Sequence, residues 1–414
     1  MQKGMHLTVL DLKISDSLRT QFSGVNFIEG NINDLEAMQS FIKNDIIISF
    51  LPASMHIVIA KLCIVHKKHL ITASYVSPDI EELNEQATAL GLNFLFEMGL
   101  DPGIDHMSAM HMIDTLNKNG HEIKSFKSYC GALVAKHSDN NPWHYKFTWN
   151  PMNVITAAQN LASYKENKKV KFKDPKSIFS DYINITTNQE NFEGYVNRDA
   201  LHYIKKYGLM EAETFIRGTL RGKGFCEAWQ ILIDLGLTNN QNLITIKGMS
   251  ILDVISSFIA EKHLTQDIYI SIQNQTNNKS ESTLKSLKYL DLASQVVTKL
   301  NTCTPAQFLL EILIPKWQLL ENDTDRIVLW HEITTLKNQN IHKHTATLDI
   351  TGASQHKTAI AKTVSLPAAF AAQLILEKKI NLPGIQIPTH PAIYTQIIPM
   401  LAENGIEMQE NYNL

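Results

Sequence analysis

Cysteine is scarce in this chain of 414 residues: Cys63, Cys130, Cys226 and Cys303 are the only four, and no two stand at C-x-x-C spacing. A disulfide scaffold or a cysteine-based metal site is not the organising feature, and reduced thiols are expected. A surplus of one charge is also lacking, because 38 Lys and Arg against 41 Asp and Glu leave a formal net charge of -3. That balance gives no general pull toward nucleic acid or anionic membranes, so a small-molecule partner is expected. No charged N-terminal segment leads into a signal-type apolar core, and no apolar run approaches the roughly 20 residues of a membrane span, which points to a cytoplasmic protein. Glycine is thin near the start: only Gly4, Gly24, Gly30 and Gly91 precede position 99, and they cannot compose G-x-G-x-x-G.

What is present is ordinary globular material, 44% hydrophobic and 19% charged, enough for two or three domains with substantial cores. The first hundred residues alternate strand-like and helix-like segments: Leu7–Leu10, Asp34–Ile42, Ile46–Phe50, Met55–His66, Leu70–Ala73, Ile80–Leu90 and Leu92–Phe96. That rhythm implies a parallel sheet with crossover helices. The stretches Ser49–Ser54 and Thr72–Tyr75 then lie at carboxyl ends of strands, where open α/β sheets bind ligands. A strand ending in Asp11 fits the second strand of a dinucleotide-binding fold, whose terminal acid holds the adenine ribose hydroxyls. From about Ile123 to Trp149 the pattern turns β-like, and residues 210–330 read mostly helical. Thr276–Lys285 reads as a polar loop, Thr345–Thr351 as a strand, and Ser365–Leu376 as a buried helix opened by Pro367.

The most informative stretch is Glu97-Met98-Gly99-Leu100-Asp101-Pro102-Gly103-Ile104-Asp105-His106. It joins a strand-like run to a helix on which Met107, Met110, Ile113 and Leu116 recur at helical spacing and which Gly120 ends. Asp105 is placed to cap that helix, Gly99 and Gly103 are expected to let backbone approach a ligand closely, and Pro102 stiffens the turn that presents Asp101. By itself the loop reads equally well as a rigid turn with two capping acids.

Taken with Ser128-Tyr129-Cys130-Gly131 and Phe215-Ile216-Arg217-Gly218-Thr219-Leu220-Arg221, this stretch resembles the glutamate-forming saccharopine dehydrogenases, or saccharopine reductases. The resemblance runs from about Leu7 to the C-terminus, strongest over residues 70–230 and 362–391. It implies an α/β architecture. An N-terminally incomplete Rossmann-type domain would span 1–100 and 362–414, an α/β substrate and dimerisation domain 101–209 and 331–361, and a mainly helical domain 210–330. The implied activity is an oxidoreductase of lysine metabolism, interconverting saccharopine with glutamate and aminoadipate semialdehyde by hydride transfer with NAD or NADP, in a homodimer without metal.

Matched residue by residue, Ser74, Tyr75, Asp101, Arg198, Thr219, Leu220 and Arg221 are the implied saccharopine contacts, and Asp101, Tyr75 and Cys130 are candidates for catalysis. Asp11, Asn31, Ile32, Leu51, Pro52, Ala73, Ser74, Leu100 and Pro102 are the implied dinucleotide contacts. Saccharopine carries three carboxylates, which planar guanidinium groups bind in bidentate fashion. Asp101 suits the substrate ammonium group, and Tyr75 suits a carboxylate or a proton relay. Arg217 shares a face with Arg221 if that segment is helical. An acid at Asp11 disfavours the extra phosphate of NADP by repulsion and so favours NAD.

Aligned on the family, the chain begins at the second strand. The first strand, the phosphate-cradling turn and most of the first helix fall outside it, which opens a gap in the backbone ladder of a central strand. The expectation is a recorded start roughly 20 to 25 residues downstream of the natural one, with a relic as the alternative. Sixteen histidines suggest metal, and His342 and His344 share a strand face, but no third ligand is evident. Trp143-His144-Tyr145 follows a turn without carboxylate neighbours, so His144 reads as a surface or packing residue, and His106 reads as part of the helix entry. A related amino-acid or polyamine-precursor dehydrogenase and a non-catalytic remnant unable to hold the dinucleotide are the other readings.

Overall fold

The computed structural model describes residues 4–413 apart from Ala158 and Asn188. Its contacts divide it into two compact units, Met1–Gly103 with Ser365–Ile393, and Ile104–Val364 with Tyr394–Leu414.

In the first unit, strands Ile46–Ser49, His69–Thr72, Asn93–Leu95 and Gly384–Gln386 pair in that spatial order, all parallel. Leu70, Ile71, Phe94 and Leu95 are completely buried, as a parallel sheet covered on both faces requires. The late strand is stitched in by side chains: Asn93 Oδ1 accepts from Leu382 N–H and Asn84 Oδ1 from Ile385 N–H. Strands Thr8–Asp11 and Asn26–Glu29 pair parallel as a separate piece. Among the described residues no backbone pairing joins the two pieces. The expected helix Ile80–Leu90 is two short ones, Pro78–Glu81 and Asn84–Ala89. Helix Asp16–Gln21 was not anticipated, because it buries no residue and has no apolar face to read.

The second unit is built on a mixed sheet running Gln409–Asn411, Asn340–Thr351, Asp325–Lys337, Glu122–Val134, Thr214–Arg221, Glu190–Val196 and Ile183–Thr187. Among its described strand pairs, only Glu122–Val134 with Thr214–Arg221 is parallel. The Thr214–Arg221 segment is thus a central strand, and the helical alternative for its two arginines does not hold. Helices Phe225–Asp234 to Pro305–Trp317 follow. They share one core with the sheet side, in which Trp143, Tyr145, Tyr195, Phe225, Trp229 and Trp317 pack together, so residues 210–330 are not a separate compact unit. The chain end differs as well, since Gln409–Asn411 pairs with Thr345–Thr347 and Tyr394–Leu414 groups with this unit. Between helices Ile268–Thr276 and Glu281–Tyr289 the expected loop shrinks to four residues, with Ser280 capping the second helix.

Helix Ala359–Leu376 starts eight residues before Pro367, which lies inside it. The reason is a distant cap: the two oxygens of Asp325 accept from Ala359 N–H and Ile360 N–H at 2.6 and 2.8 Å. By length and composition this helix, with a mean hydropathy of 1.5, is long and apolar enough to cross a membrane, in contrast to the reading of the sequence. Ala368, Ala371 and Leu374 are buried against protein.

Candidate active site

In the first unit, three loops leave the carboxyl ends of parallel strands: Phe50–Ser54, Ala73–Tyr75 and Phe96–Gly103. Their packing is tight. A Cβ on Gly99 would lie 2.8 Å from the Ala73 Cβ, and one on Gly103, at φ +148°, would lie 2.0 Å from the Gly99 carbonyl oxygen. The space these glycines provide is therefore filled by neighbouring protein, not left for a ligand. Tyr75 OH donates to Asp101 Oδ1 at 3.4 Å, which brings two implied substrate contacts together. Ser74 is half-buried and lies 2.8 Å from Nε2 of His56, an imidazole only 2% exposed that also lies 3.3 Å from Thr72 Oγ1 and 3.1 Å from Ser49 Oγ through Nδ1.

Of the residues implied for a dinucleotide, Asp11, Asn31, Leu51 and Pro52 are exposed, Ile32, Ala73 and Ser74 are half-buried, and Leu100 and Pro102 are buried. Phe50, Leu51 and Pro52 form an exposed apolar stretch at one strand end, and Asp11 is exposed at another. Those residues fit a nucleoside: apolar contact for rings and an acid for ribose hydroxyls. Asn31 N–H is taken by Asp34 Oδ2 at 2.7 Å, and Asn31 Oδ1 by Asn33 N–H, so that turn offers Ile32 and backbone rather than the amide. Glycine N–H groups of the kind that cradle a pyrophosphate are not supplied by the first hundred residues.

In the second unit, the end of strand Thr214–Arg221 carries an unusual group. Arg221 is 3% exposed, and among the described residues no carboxylate pairs with it. Its guanidinium carbon lies 5.2 Å from the Tyr145 ring centre, 5.3 Å from Phe225 and 5.9 Å from Tyr195. Nη1 donates to the Leu220 carbonyl at 3.0 Å, whereas Nε has no partner. In the same aromatic core the Tyr145 hydroxyl has only the Trp149 indole and the Tyr195 hydroxyl only Thr219 as loose neighbours, and the Trp317 indole N–H is buried without a partner among the described residues. Burial raises the pKa of both tyrosines, so they stay protonated and able to donate. An isolated buried cation with unused donors costs several kcal/mol unless an anion meets it. Chemically, the arrangement can accept an acid group such as a carboxylate.

Sequence reasoning named Arg221 and missed its surroundings. Thr219 Oγ1 accepts from Asn197 Nδ2 at 3.1 Å, and Cys130 is buried opposite Thr219 in the strand register. The Leu220 side chain is fully buried in a core cluster with Tyr129 and Ile216, which leaves only its backbone for contacts. Arg198 is exposed, at φ +56°, and its positive charge favours Tyr195 ionisation slightly. Arg217 has a structural partner instead of a ligand: Nη2 donates to Asp105 Oδ2 at 2.6 Å, with the Tyr203 ring 4.3 Å from the guanidinium. Asp105 sits inside the first turn of helix Ile104–Lys118 and serves that buried pair. His106 is also buried, with Nδ1 2.6 Å from Tyr207 OH.

The other histidines need correction too. His144 does have a carboxylate neighbour, Asp139, 2.6 Å from Nδ1, whose hydrogen bond raises the imidazole pKa. His342 and His344 are joined by His121, which shares the Thr335 hydroxyl with His344 at 2.8 and 2.9 Å. Among the described residues, no group of three or more His, Cys, Asp or Glu is arranged to hold a metal ion.

Comparison with known proteins gives a consistent set. A family model described as the saccharopine dehydrogenase C-terminal domain matches residues 99–406. An alpha-aminoadipic semialdehyde synthase of Arabidopsis thaliana is 35% identical over 435 residues, covering 98% of this chain and 40% of its own length; the chain spans less than half of that relative. A saccharopine dehydrogenase (NADP(+), L-glutamate-forming) of Schizosaccharomyces pombe is 34% identical over 402 residues, covering 92% of this chain and 87% of its own. The solved apo saccharopine dehydrogenase (L-Glu forming) from Saccharomyces cerevisiae matches with a TM-score of 0.89 and 29% identity, over 99% of this chain and 94% of that one.

Proposed function

The chain belongs to the saccharopine dehydrogenase family, and from that membership we propose that it interconverts saccharopine with glutamate and aminoadipate semialdehyde, using a nicotinamide dinucleotide. The observation that carries this reading is Arg221, a buried guanidinium with no carboxylate partner among the described residues, set among the rings of Tyr145, Tyr195 and Phe225. A substrate with three carboxylates supplies the missing anion. A polyamine precursor is cationic and meets repulsion there, so that alternative is the weaker one.

A bound nicotinamide dinucleotide would supply the hydride acceptor for oxidation of the carbon bearing the secondary amine. This chain's residues do the rest. Arg221, Tyr145 and Tyr195 fix one carboxylate and thereby orient the substrate. Arg198 and Thr219 serve as further contacts. Within the first unit Tyr75 donates to Asp101, a pair whose carboxylate suits an ammonium group and whose phenol oxygen can hold a proton. Cys130, small and buried in register with Thr219, makes room rather than acting as a base. Water then attacks the substrate imine and releases the two products.

Asp11, exposed at its strand end, leads us to infer a preference for NAD, although the Schizosaccharomyces pombe relative is named for NADP(+). The reading includes a homodimer in the cytoplasm; a monomer mass by sedimentation, or recovery with an organelle, would remove those parts. The deciding test is saccharopine-dependent reduction of NAD and of NADP, followed by the absorbance of the reduced nicotinamide. Reduction with glutamate as a product supports the proposal, and a higher kcat/KM with NADP overturns the inference from Asp11. A folded protein that binds saccharopine and reduces neither dinucleotide is a binding protein, not a dehydrogenase.

A further inference from the structure

His56 opens the helix His56–His66 directly after the exposed Phe50–Ser54 loop, and its buried ring spans the carboxyl ends of two neighbouring strands. Ser49 ends one strand and Thr72 ends the other, and both hydroxyls reach the imidazole, as does Ser74 two residues further on. Burial lowers the pKa of this imidazole, so at neutral pH the ring is uncharged, with one N–H and one lone pair. Which nitrogen carries the proton decides what Ser74 can do.

The hydrogen-bond inventory discriminates between the two tautomers. With the proton on Nε2, the ring donates to Ser74 Oγ across the shortest contact, 2.8 Å, and Nδ1 accepts from Ser49 OH. Thr72 Oγ1 still accepts from Ser74 N–H at 3.2 Å, and only the Thr72 proton lacks an acceptor. With the proton on Nδ1, the ring donates to Ser49, whose own proton then has no acceptor among the described residues. Nε2 accepts from Ser74 over the short contact, and Thr72 is again left over. If Nε2 accepts instead from Thr72 at 3.3 Å, only the Ser49 proton is stranded but the 2.8 Å contact to Ser74 is given up; the Nε2–H form alone keeps that contact while stranding a single buried proton, and so prevails.

We propose that His56 is a positioning residue: held as the Nε2–H tautomer by Ser49, it donates to Ser74 and so turns the Ser74 hydroxyl proton outward, as a donor for a substrate carboxylate. In the opposite tautomer Ser74 would point its proton inward and present only lone pairs, which repel an anion. The inference rests on the reading of Ser74 as a saccharopine contact, and it adds Ser49 and His56, neither of which touches the substrate, to the determinants of carboxylate binding.

The test has two arms. Ring-15N-histidine NMR of the full chain, with the His56 signals assigned by their loss in H56Q, reads the tautomer without substrate or cofactor. A neutral ring protonated on Nε2 is expected; a ring protonated on Nδ1, or charged at pH 7, overturns the proposal whatever the enzyme's activity. Kinetics supply the second arm. S49A and H56F should raise the KM for saccharopine roughly ten- to hundred-fold, the worth of one hydrogen bond to a charged group, with kcat within about two-fold. H56Q, which keeps an N–H near the Nε2 position, should recover most of that KM. An Nε2–H ring combined with an unchanged KM in S49A and H56F would overturn the donor role of Ser74.

Discussion

Glu193 and Arg221 stand opposite each other across the antiparallel pairing of strands Glu190–Val196 and Thr214–Arg221, yet they do not form an ion pair. The Glu193 carboxylate instead accepts from Gly224 N–H at 2.5 Å and Cys226 N–H at 2.8 Å, at the start of helix Phe225–Asp234. The acid that the strand register sets opposite Arg221 is thus committed to backbone N–H groups.

Glu193 thereby fixes Phe225 against Arg221. E193A should lower stability by about 1.5 to 3 kcal/mol, the worth of hydrogen bonds to a charged group, and should raise the KM for saccharopine. E193Q keeps one acceptor and should fall between wild type and E193A on both scales. Thermal unfolding together with steady-state kinetics checks this, and an E193A variant with wild-type stability would contradict it.

Arg221 itself should show stability and function in opposition. R221M removes a buried charge with no counter-ion and should leave stability unchanged or raise it by about 1 to 4 kcal/mol, while saccharopine turnover is lost. Thermal melts of the two proteins without ligand decide the point. A strongly destabilised R221M would mean that the guanidinium has a structural partner.

Arg217 makes the opposite case, since its charge is paired with Asp105 inside the same unit. D105N should cost about 3 to 5 kcal/mol because it strands a buried guanidinium. The double variant D105N/R217M should recover much of that loss. Urea unfolding of the four proteins in a double-mutant cycle measures the coupling, and simple additivity of the two single effects would contradict it.

His331 should make the protein sensitive to acid. It is completely buried, with Nε2 2.7 Å from Ser108 Oγ and Nδ1 without a partner. Burial pushes its imidazole pKa down to about 4 from the usual 6.5; Arg217 and His106 add to this, while Asp105 opposes it. The unfolded chain takes up a proton near pH 6.5 and the folded chain only near pH 4. The contribution is therefore complete above pH 6.5 and is lost as pH falls toward 4, amounting to about 2 kcal/mol between pH 7 and 5. H331Q should flatten that part of the profile of unfolding free energy against pH; an unchanged slope would refute the assignment.

These particulars show what the sequence makes legible. Local periodicity marked the helix Ile104–Lys118, where Met107, Met110, Ile113 and Leu116 are all buried, and the parallel strands announced themselves as short apolar runs. Long-range relations were not legible. The cap from Asp325 moved the start of helix Ala359–Leu376, and Gly99 and Gly103 proved to accommodate protein rather than ligand. Arg221 was found from the chemistry of carboxylate recognition and the resemblance. Tyr145 and Tyr195 were not, because an aromatic residue in sequence reads as core, and only the fold reveals that their rings surround the Arg221 guanidinium.

Saccharopine binding measured by titration calorimetry on the wild-type chain, with R221M beside it, tests the central claim most directly. Saturable binding that weakens at least roughly thirty-fold in R221M, about 2 kcal/mol, is the result this account predicts. Equal affinities in the two proteins, or no binding by a folded wild-type chain, would contradict it.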